Sequence, residues 1–263
     1  MKKITSIIIV ALSFSLGVCA QDKVTTSTNM IGVGGTNILD TYLSAEKYRG
    51  TEIRYLSEMQ WRKDGKNWSG IMINQGHVSL ARNRADNGKD ITGMYNFAYG
   101  RLRNFSFLDN TLRLQAGVIG DFNLGFIYNN RNGNNPAQAR CYLNVAPMVT
   151  AEYDLSLWKK LFTIRYAAEI AALGVMFSPN YGQSYYEIFT QGNYDHNVVF
   201  TTIGSAPSFR QMLSVDIPLK KSFKLRVAYL GDYQQAKANN LKSHVFSNMF
   251  MIGITKQFKL IRM

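Results

Sequence analysis

The sequence predicts an all-β fold, an antiparallel transmembrane β-barrel of ten strands, and three observations carry that prediction. Segments of about 12 to 17 residues alternate apolar and polar side chains with period two. The longest apolar run after the first twenty residues, Tyr166 to Phe177, is too short to cross a membrane as a helix and contains Glu169. The connections between segments alternate between tight turns and longer polar stretches, the barrel pattern of short periplasmic turns opposite longer external loops.

The chain opens with Lys2 and Lys3, an apolar stretch from Ile7 to Val18, and Val18-Cys19-Ala20 before Gln21. This is the pattern of a secretory signal peptide cleaved after Ala20. Residues 1–20 are therefore expected to be removed, 21–27 to form a short N-terminal linker, and 28–263 to form a single barrel domain, since no Pro, Ser or charge run divides the rest. The expected destination is the outer membrane of a Gram-negative bacterium.

Of the two cysteines, Cys19 leaves with the signal, so Cys141 has no partner for an intrachain disulfide. The formal net charge of +13 marks a basic chain. An exported basic protein meets lipid phosphate and lipopolysaccharide, not nucleic acid. Outer-membrane lipid and lipopolysaccharide are the expected partners; a protein partner or glycan ligand is left open.

Strands are read near residues 28–37, 49–62, 67–82, 91–104, 110–127, 139–155, 160–176, 207–219, 222–235 and 242–258. The clearest alternation runs from Leu112 to Phe126, where Leu112, Leu114, Ala116, Val118, Phe122, Leu124 and Phe126 share one face and Arg113, Gln115, Asp121 and Asn123 the other. Ile53 and Tyr55 oppose Glu52, Arg54 and Glu58; Ile164 and Tyr166 oppose Arg165 and Glu169; Val227 and Tyr229 oppose Arg226 and Asp232. Twelve residues at roughly 3.3 Å each, tilted by about 40°, rise on the order of 30 Å, enough for an outer-membrane apolar band. Soluble strands average about five or six residues.

The tight connections fall at Lys63 to Lys66, Phe105 to Asp109, Ser156 to Lys159, and Lys220-Lys221. Trp61, Trp68 and Trp158 all flank them, where an indole ring sits at the headgroup level. The other connections read as longer and polar, as in Asn129 to Pro136. Gly32-Val33-Gly34-Gly35 reads as a bend in an edge-like first strand. Ser178 to Ala206 lacks one clear spanning strand, and two further short strands there give a twelve-strand barrel as the alternative.

Leu39-Asp40-Thr41-Tyr42-Leu43-Ser44 leading to Tyr48-Arg49-Gly50, and Phe177-Ser178-Pro179-Asn180-Tyr181-Gly182-Gln183-Ser184-Tyr185-Tyr186-Glu187-Ile188-Phe189, resemble a Bacteroidota outer-membrane β-barrel family of unknown function. The resemblance spans most of the chain after the signal. It implies an exported barrel and supplies no activity and no site residues.

Three kinds of site are read from the residues. His77 and Ser79 lie two apart on a strand, hence on one side, and look like the His-x-Ser arrangement of lipid A deacylases; such a hydrolase needs Ser79 facing lipid near the rim, with a carboxylate beside His77. Tyr181, Tyr185, Tyr186 and Tyr194, with Phe189 and Phe200, form either a binding surface at the barrel mouth or a loop folded over it. His77, His196 and His244 are scattered, so no metal is expected, and no cofactor motif is present.

The inward polar faces predict a lumen charge network of Arg54, Glu58, Arg113, Asp121, Glu152, Arg165, Glu169, Asp216 and Arg226. Small barrels are generally filled by side chains, so paired charges argue for a plugged interior over a small-solute channel. The expected role is therefore a structural or ligand-binding barrel, with a lipid A deacylase-like hydrolase or a small-solute channel as alternatives.

Overall fold

The computed structural model describes residues 23–63, 66–220 and 222–260. The expected signal peptide and its cleavage after Ala20 lie outside the described residues. Among the described residues twelve strands form: β1 (Lys23–Asp40), β2 (Ser44–Lys63), β3 (Trp68–Asn83), β4 (Lys89–Phe107), β5 (Leu112–Asn129), β6 (Ala137–Leu157), β7 (Lys160–Ile170), β8 (Leu173–Phe177), β9 (Val198–Thr202), β10 (Phe209–Lys220), β11 (Phe223–Ala238) and β12 (Leu241–Leu260). One short helix, α1 (Tyr185–Phe189), lies between β8 and β9.

The sheet closes on itself through β1 to β7 in order, then β10, β11, β12 and back to β1, every pair antiparallel. This is a closed ten-strand barrel, as the alternation predicts, with β8 and β9 as two additional strands. They do not enlarge the ring. β8 continues β7 after a break at Ala171-Ala172 and pairs with the upper part of β6, while β9 pairs with β8 and leads down into β10 through residues 203–208. Each of two neighbouring wall strands is thus interrupted once, side by side, and the twelve-strand closure does not form.

The strands run longer than the alternation alone marked. β1 begins at Lys23, inside the stretch expected to be a linker, because Lys23 to Ser27 pair with Lys63 to Met59 on one side and Leu260 to Lys256 on the other. β1 is not an edge: it is hydrogen-bonded on both sides over its length. Gly32 and Gly34 serve close approach instead of a bend. A Cβ on Gly34 would sit 2.0 Å from the backbone oxygen of Asn248, so only glycine lets β1 and β12 meet there.

Two of the connections expected to be long are tight. Thr41 to Leu43 join β1 to β2, and Asn239-Asn240 join β11 to β12 with φ of 48° and 61°, the left-handed values that asparagine tolerates in a hairpin turn. The longer connections at that end are 84–88, 130–136 and the segment containing α1. We call this the loop end and the opposite rim the turn end; Trp61, Trp68 and Trp158 lie at the turn end.

The distribution of side chains is inverted relative to a soluble sheet. Ile53 is 61% exposed while its neighbour Arg54 is 1% exposed. Outward faces carry Val78, Leu80, Val118, Leu124, Phe126 and Phe250, all exposed, and the charges point inward. Outward polar groups are capped by tyrosines of neighbouring strands: the Tyr55 hydroxyl donates to Asn29 Oδ1 at 2.7 Å and the Tyr95 hydroxyl to Asn74 Oδ1 at 2.8 Å. Among the described residues no helix is long and apolar enough to cross a membrane; a barrel crosses with its strands.

Candidate functional site

The inward side chains form two ion-paired layers separated by an apolar one. Toward the loop end, Arg54 pairs with Glu52 at 2.7 Å and Asp232 at 2.6 Å, and Arg210 pairs with Glu169, with Asp232 at 3.5 Å and with Asp121 at 3.8 Å. Neutral side chains complete the layer: Arg54 donates to Gln75 Oε1 at 3.0 Å, Ser247 donates to Glu52, and Asn96 and Asn123 donate to Asp121.

Toward the turn end, Arg165 pairs with Glu58 at 3.1 Å and Glu152 at 3.3 Å, and Arg113 with Glu152 at 3.2 Å and Asp154. Arg226 pairs with Asp216 and approaches Glu58 at 3.8 Å. Among the described residues no ion pair joins the two layers.

Between them lies a contiguous apolar cluster that includes Met30, Leu56, Ile71, Ile73, Met212, Leu230, Met249 and Met251, all buried. The strands encode this stacking at spacings of two. β2 reads Arg54, Leu56, Glu58 inward; β7 reads Arg165, Ala167, Glu169; β11 reads Arg226, Ala228, Leu230, Asp232; β10 reads Arg210, Met212, Ser214, Asp216. A buried charge is tolerable only when paired, and the partners come from other strands at the same height.

The structure thus brings all nine expected charges inside, distributed over two groups: Arg54, Asp121 and Glu169 toward the loop end, and Glu58, Arg113, Glu152, Arg165, Asp216 and Arg226 toward the turn end. Sequence reasoning missed Arg210, Asp154 and Arg140. Period-two parity from Asp216 back through Met212 places Arg210 inward, so the signal was there; parity from Glu152 and from Asn144 does the same for Asp154 and Arg140.

His77 and Ser79 also point into the lumen, both buried, not toward lipid. Ser79 shares a hydrogen bond of 2.5 Å with Thr92, and His77 Nδ1 lies 3.9 Å from Glu52 with its Nε2 lacking a partner. The membrane-facing nucleophile that a lipid A hydrolase needs is therefore not formed. Residues two apart share a face, but which face is the outer one was set by the ring. His196 is exposed beside Asp195, and His244 stacks on Phe246.

The aromatic residues of the long connection divide. Tyr185 docks into the mouth: its hydroxyl donates to Gln138 Oε1 at 2.7 Å and accepts from the Ala139 N–H, and its ring meets Tyr42, Phe177 and Phe189 within 6.0 Å. Burial pushes the Tyr185 hydroxyl above its ordinary titration range. Tyr181, Tyr186 and Tyr194 remain exposed, and Phe200 belongs to the outer face of β9. Ser184 and Glu187 form a capping box at the start of α1, and the hydrogen bonds from Ser184 hold the Glu187 carboxyl below its usual range.

The family described as "Protein of unknown function (DUF3316)" matches residues 8–263. Among curated proteins none matches the chain. Among solved structures, the outer membrane protease OmpT from Escherichia coli superposes with a TM-score of 0.50 at 6% identity, over 93% of this chain and 99% of that one. The translocator domain of the autotransporter NalP from Neisseria meningitidis gives 0.41 at 11% identity over 98% and 96% of the two chains, and the transport unit of the autotransporter AIDA-I from Escherichia coli 0.44 at 8% over 97% of each. At 6% identity the likeness to OmpT shows the barrel fold, an outer-membrane type, and says nothing of activity.

Proposed function

Because the chain belongs to the DUF3316 family, a family of unknown function, we propose its role from the barrel itself: an outer-membrane β-barrel with a plugged interior, either structural or engaging a ligand or partner at its loop end. The observation that carries this reading is the inverted side-chain distribution, with exposed Ile, Leu, Val and Phe outside and ion-paired Arg, Asp and Glu inside. In water such an exterior aggregates; in hydrocarbon it is the stable arrangement, because closure of the ring leaves no strand edge unpaired.

The plug follows from magnitudes. An apolar layer between two ion-paired layers opposes the passage of a hydrated solute, and separating paired charges costs more than a passing solute returns. Wild-type protein in planar bilayers is accordingly expected to give no sustained conductance. Lipid and lipopolysaccharide are the proposed surroundings, and the signal peptide delivers the chain with Gln21 as its first residue.

Fractionation tests this reading: sedimentation with the outer membrane, heat-modifiable migration on gels and an N-terminus at Gln21 support it. Recovery as a soluble periplasmic protein overturns it.

A further inference from the structure

The two adjacent wall breaks lie over a lumen cavity. Pairing between β7 and β10 ends at Ile170 with Phe209, and pairing between β10 and β11 ends at Phe209 with Tyr233. Above that height β11 continues from Gln234 to Ala238 paired only with β12, while β9 is paired with β8. The space between β9 and β11 is crossed by residues 203–208, held by single backbone hydrogen bonds such as Lys237 N–H to Ser205 O at 2.8 Å. Ala171, Ala206, Ser208 and Ala236 line the cavity at this gap, all of them small.

Behind the gap, two guanidinium groups line the cavity. Arg210 is ion-paired to Glu169 and Asp232. Arg140 is 3% exposed, and among the described residues it makes no ion pair; its Nε has no hydrogen-bond partner, and its guanidinium lies 5.1 Å from the Tyr142 ring. Of the carboxylates nearby, Asp121 is engaged by Asn96 and Asn123, and Glu169 and Asp232 by Arg210 and Arg54; Asp40, buried and within Coulombic reach of Arg140 but not ion-paired to it, accepts the Tyr42 N–H at 3.1 Å. A buried guanidinium with free donors is a site for an acceptor oxygen, best an oxyanion held by charge-assisted hydrogen bonds.

We propose that this gap is a lateral binding site in which Arg140 holds the carboxylate head of a single-chain amphiphile, with the tail lying outside along the barrel wall. Size selects the head. The cavity volume of about 40 Å³ is room for about three waters, at roughly 10 to 15 Å³ each, which suits a carboxylate and excludes a sugar or an acyl chain. The surroundings select the tail, because the outer face beside the gap presents exposed Leu173, Phe200 and Ile203. Asn123, Asn144 and Thr201 line the same cavity and supply neutral polar contacts for the head. The proposal rests on the outer face lying in the membrane.

The test uses the full chain purified in detergent and a sixteen-carbon fatty acid carrying a photoreactive diazirine on its chain, with crosslinks mapped by mass spectrometry. Expected is labelling concentrated on 171–176 and 198–209, reduced at least tenfold in Arg140→Gln and in Ala206→Trp, which fills the gap without touching a charge. Excess palmitate should compete; acetate, inorganic phosphate and the matching fatty alcohol should not. Competition by acetate or phosphate would assign Arg140 to a soluble anion and overturn the proposal. So would labelling spread evenly around the barrel, or labelling unchanged in the variants. Heat-modifiable migration of each variant reports folding separately, so failure of the lateral site is distinguishable from failure of the barrel reading; if Arg140→Gln does not fold, Ala206→Trp decides.

Discussion

Replacing Arg165 with alanine tests whether the lumen is dry. Arg165 is 1% exposed and bridges Glu58 at 3.1 Å and Glu152 at 3.3 Å. Removing one partner of a buried pair costs about 3 to 5 kcal/mol, because the other charge is left desolvated and uncompensated. Both glutamates keep a second arginine, Glu58 the Arg226 guanidinium at 3.8 Å and Glu152 that of Arg113 at 3.2 Å, which puts the expected loss at the lower end, about 3 kcal/mol. That is more than a hundredfold in the folding equilibrium, at about 1.4 kcal/mol per tenfold. Ala168→Val, on the lipid-facing side of the same strand, should stay within about 0.5 kcal/mol. Adding Glu58→Gln to Arg165→Ala should recover part of the loss, since the stranded charge goes with it. Urea-driven unfolding from lipid vesicles, followed by tryptophan fluorescence and gel mobility, measures all four proteins. An Arg165→Ala variant as stable as wild type, together with large steady channels in planar bilayers, would mean a hydrated pore and refute the plugged lumen.

Three further outcomes are expected. In a Cys141→Ser background, Asn132→Cys and Asn240→Cys should react with an impermeant maleimide on intact cells while Ser222→Cys does not; the reverse pattern would invert the barrel. Ser79→Ala removes one buried hydrogen bond to Thr92 and should cost about 1 kcal/mol in unfolding assays, with lipid A acyl release by purified protein the same as wild type; a selective loss of acyl release would restore the hydrolase reading. Glu187 is held below its ordinary value of 4.5 by Ser184, so the hydrogen bond its carboxylate accepts from the Ser184 N–H is fully made above that pH and is lost as pH falls through the depressed value; amide exchange at Ser184, corrected for intrinsic rate, should accelerate only below pH 4.5 and should be fast at neutral pH in Glu187→Ala.

The alternation of Leu112 to Phe126 and its counterparts was enough, by itself, to establish strands with one lipid-suited and one polar face, their approximate number, and the inward direction of Arg54, Arg113, Arg165 and Arg226. Period two is a local property, legible wherever a strand is long. Ring closure was not local. That β1 is paired on both sides, that Gly34 lets β12 approach, and that β8 and β9 continue existing wall strands all depend on partners far along the chain. The charge layers show the same division: parity says that Arg210 and Asp232 point inward, but only the register of ten strands puts them at one height with Arg54, beneath a broken wall and an unpaired Arg140. Which pairs meet is decided by strand stagger around the closed barrel, a quantity no single segment contains.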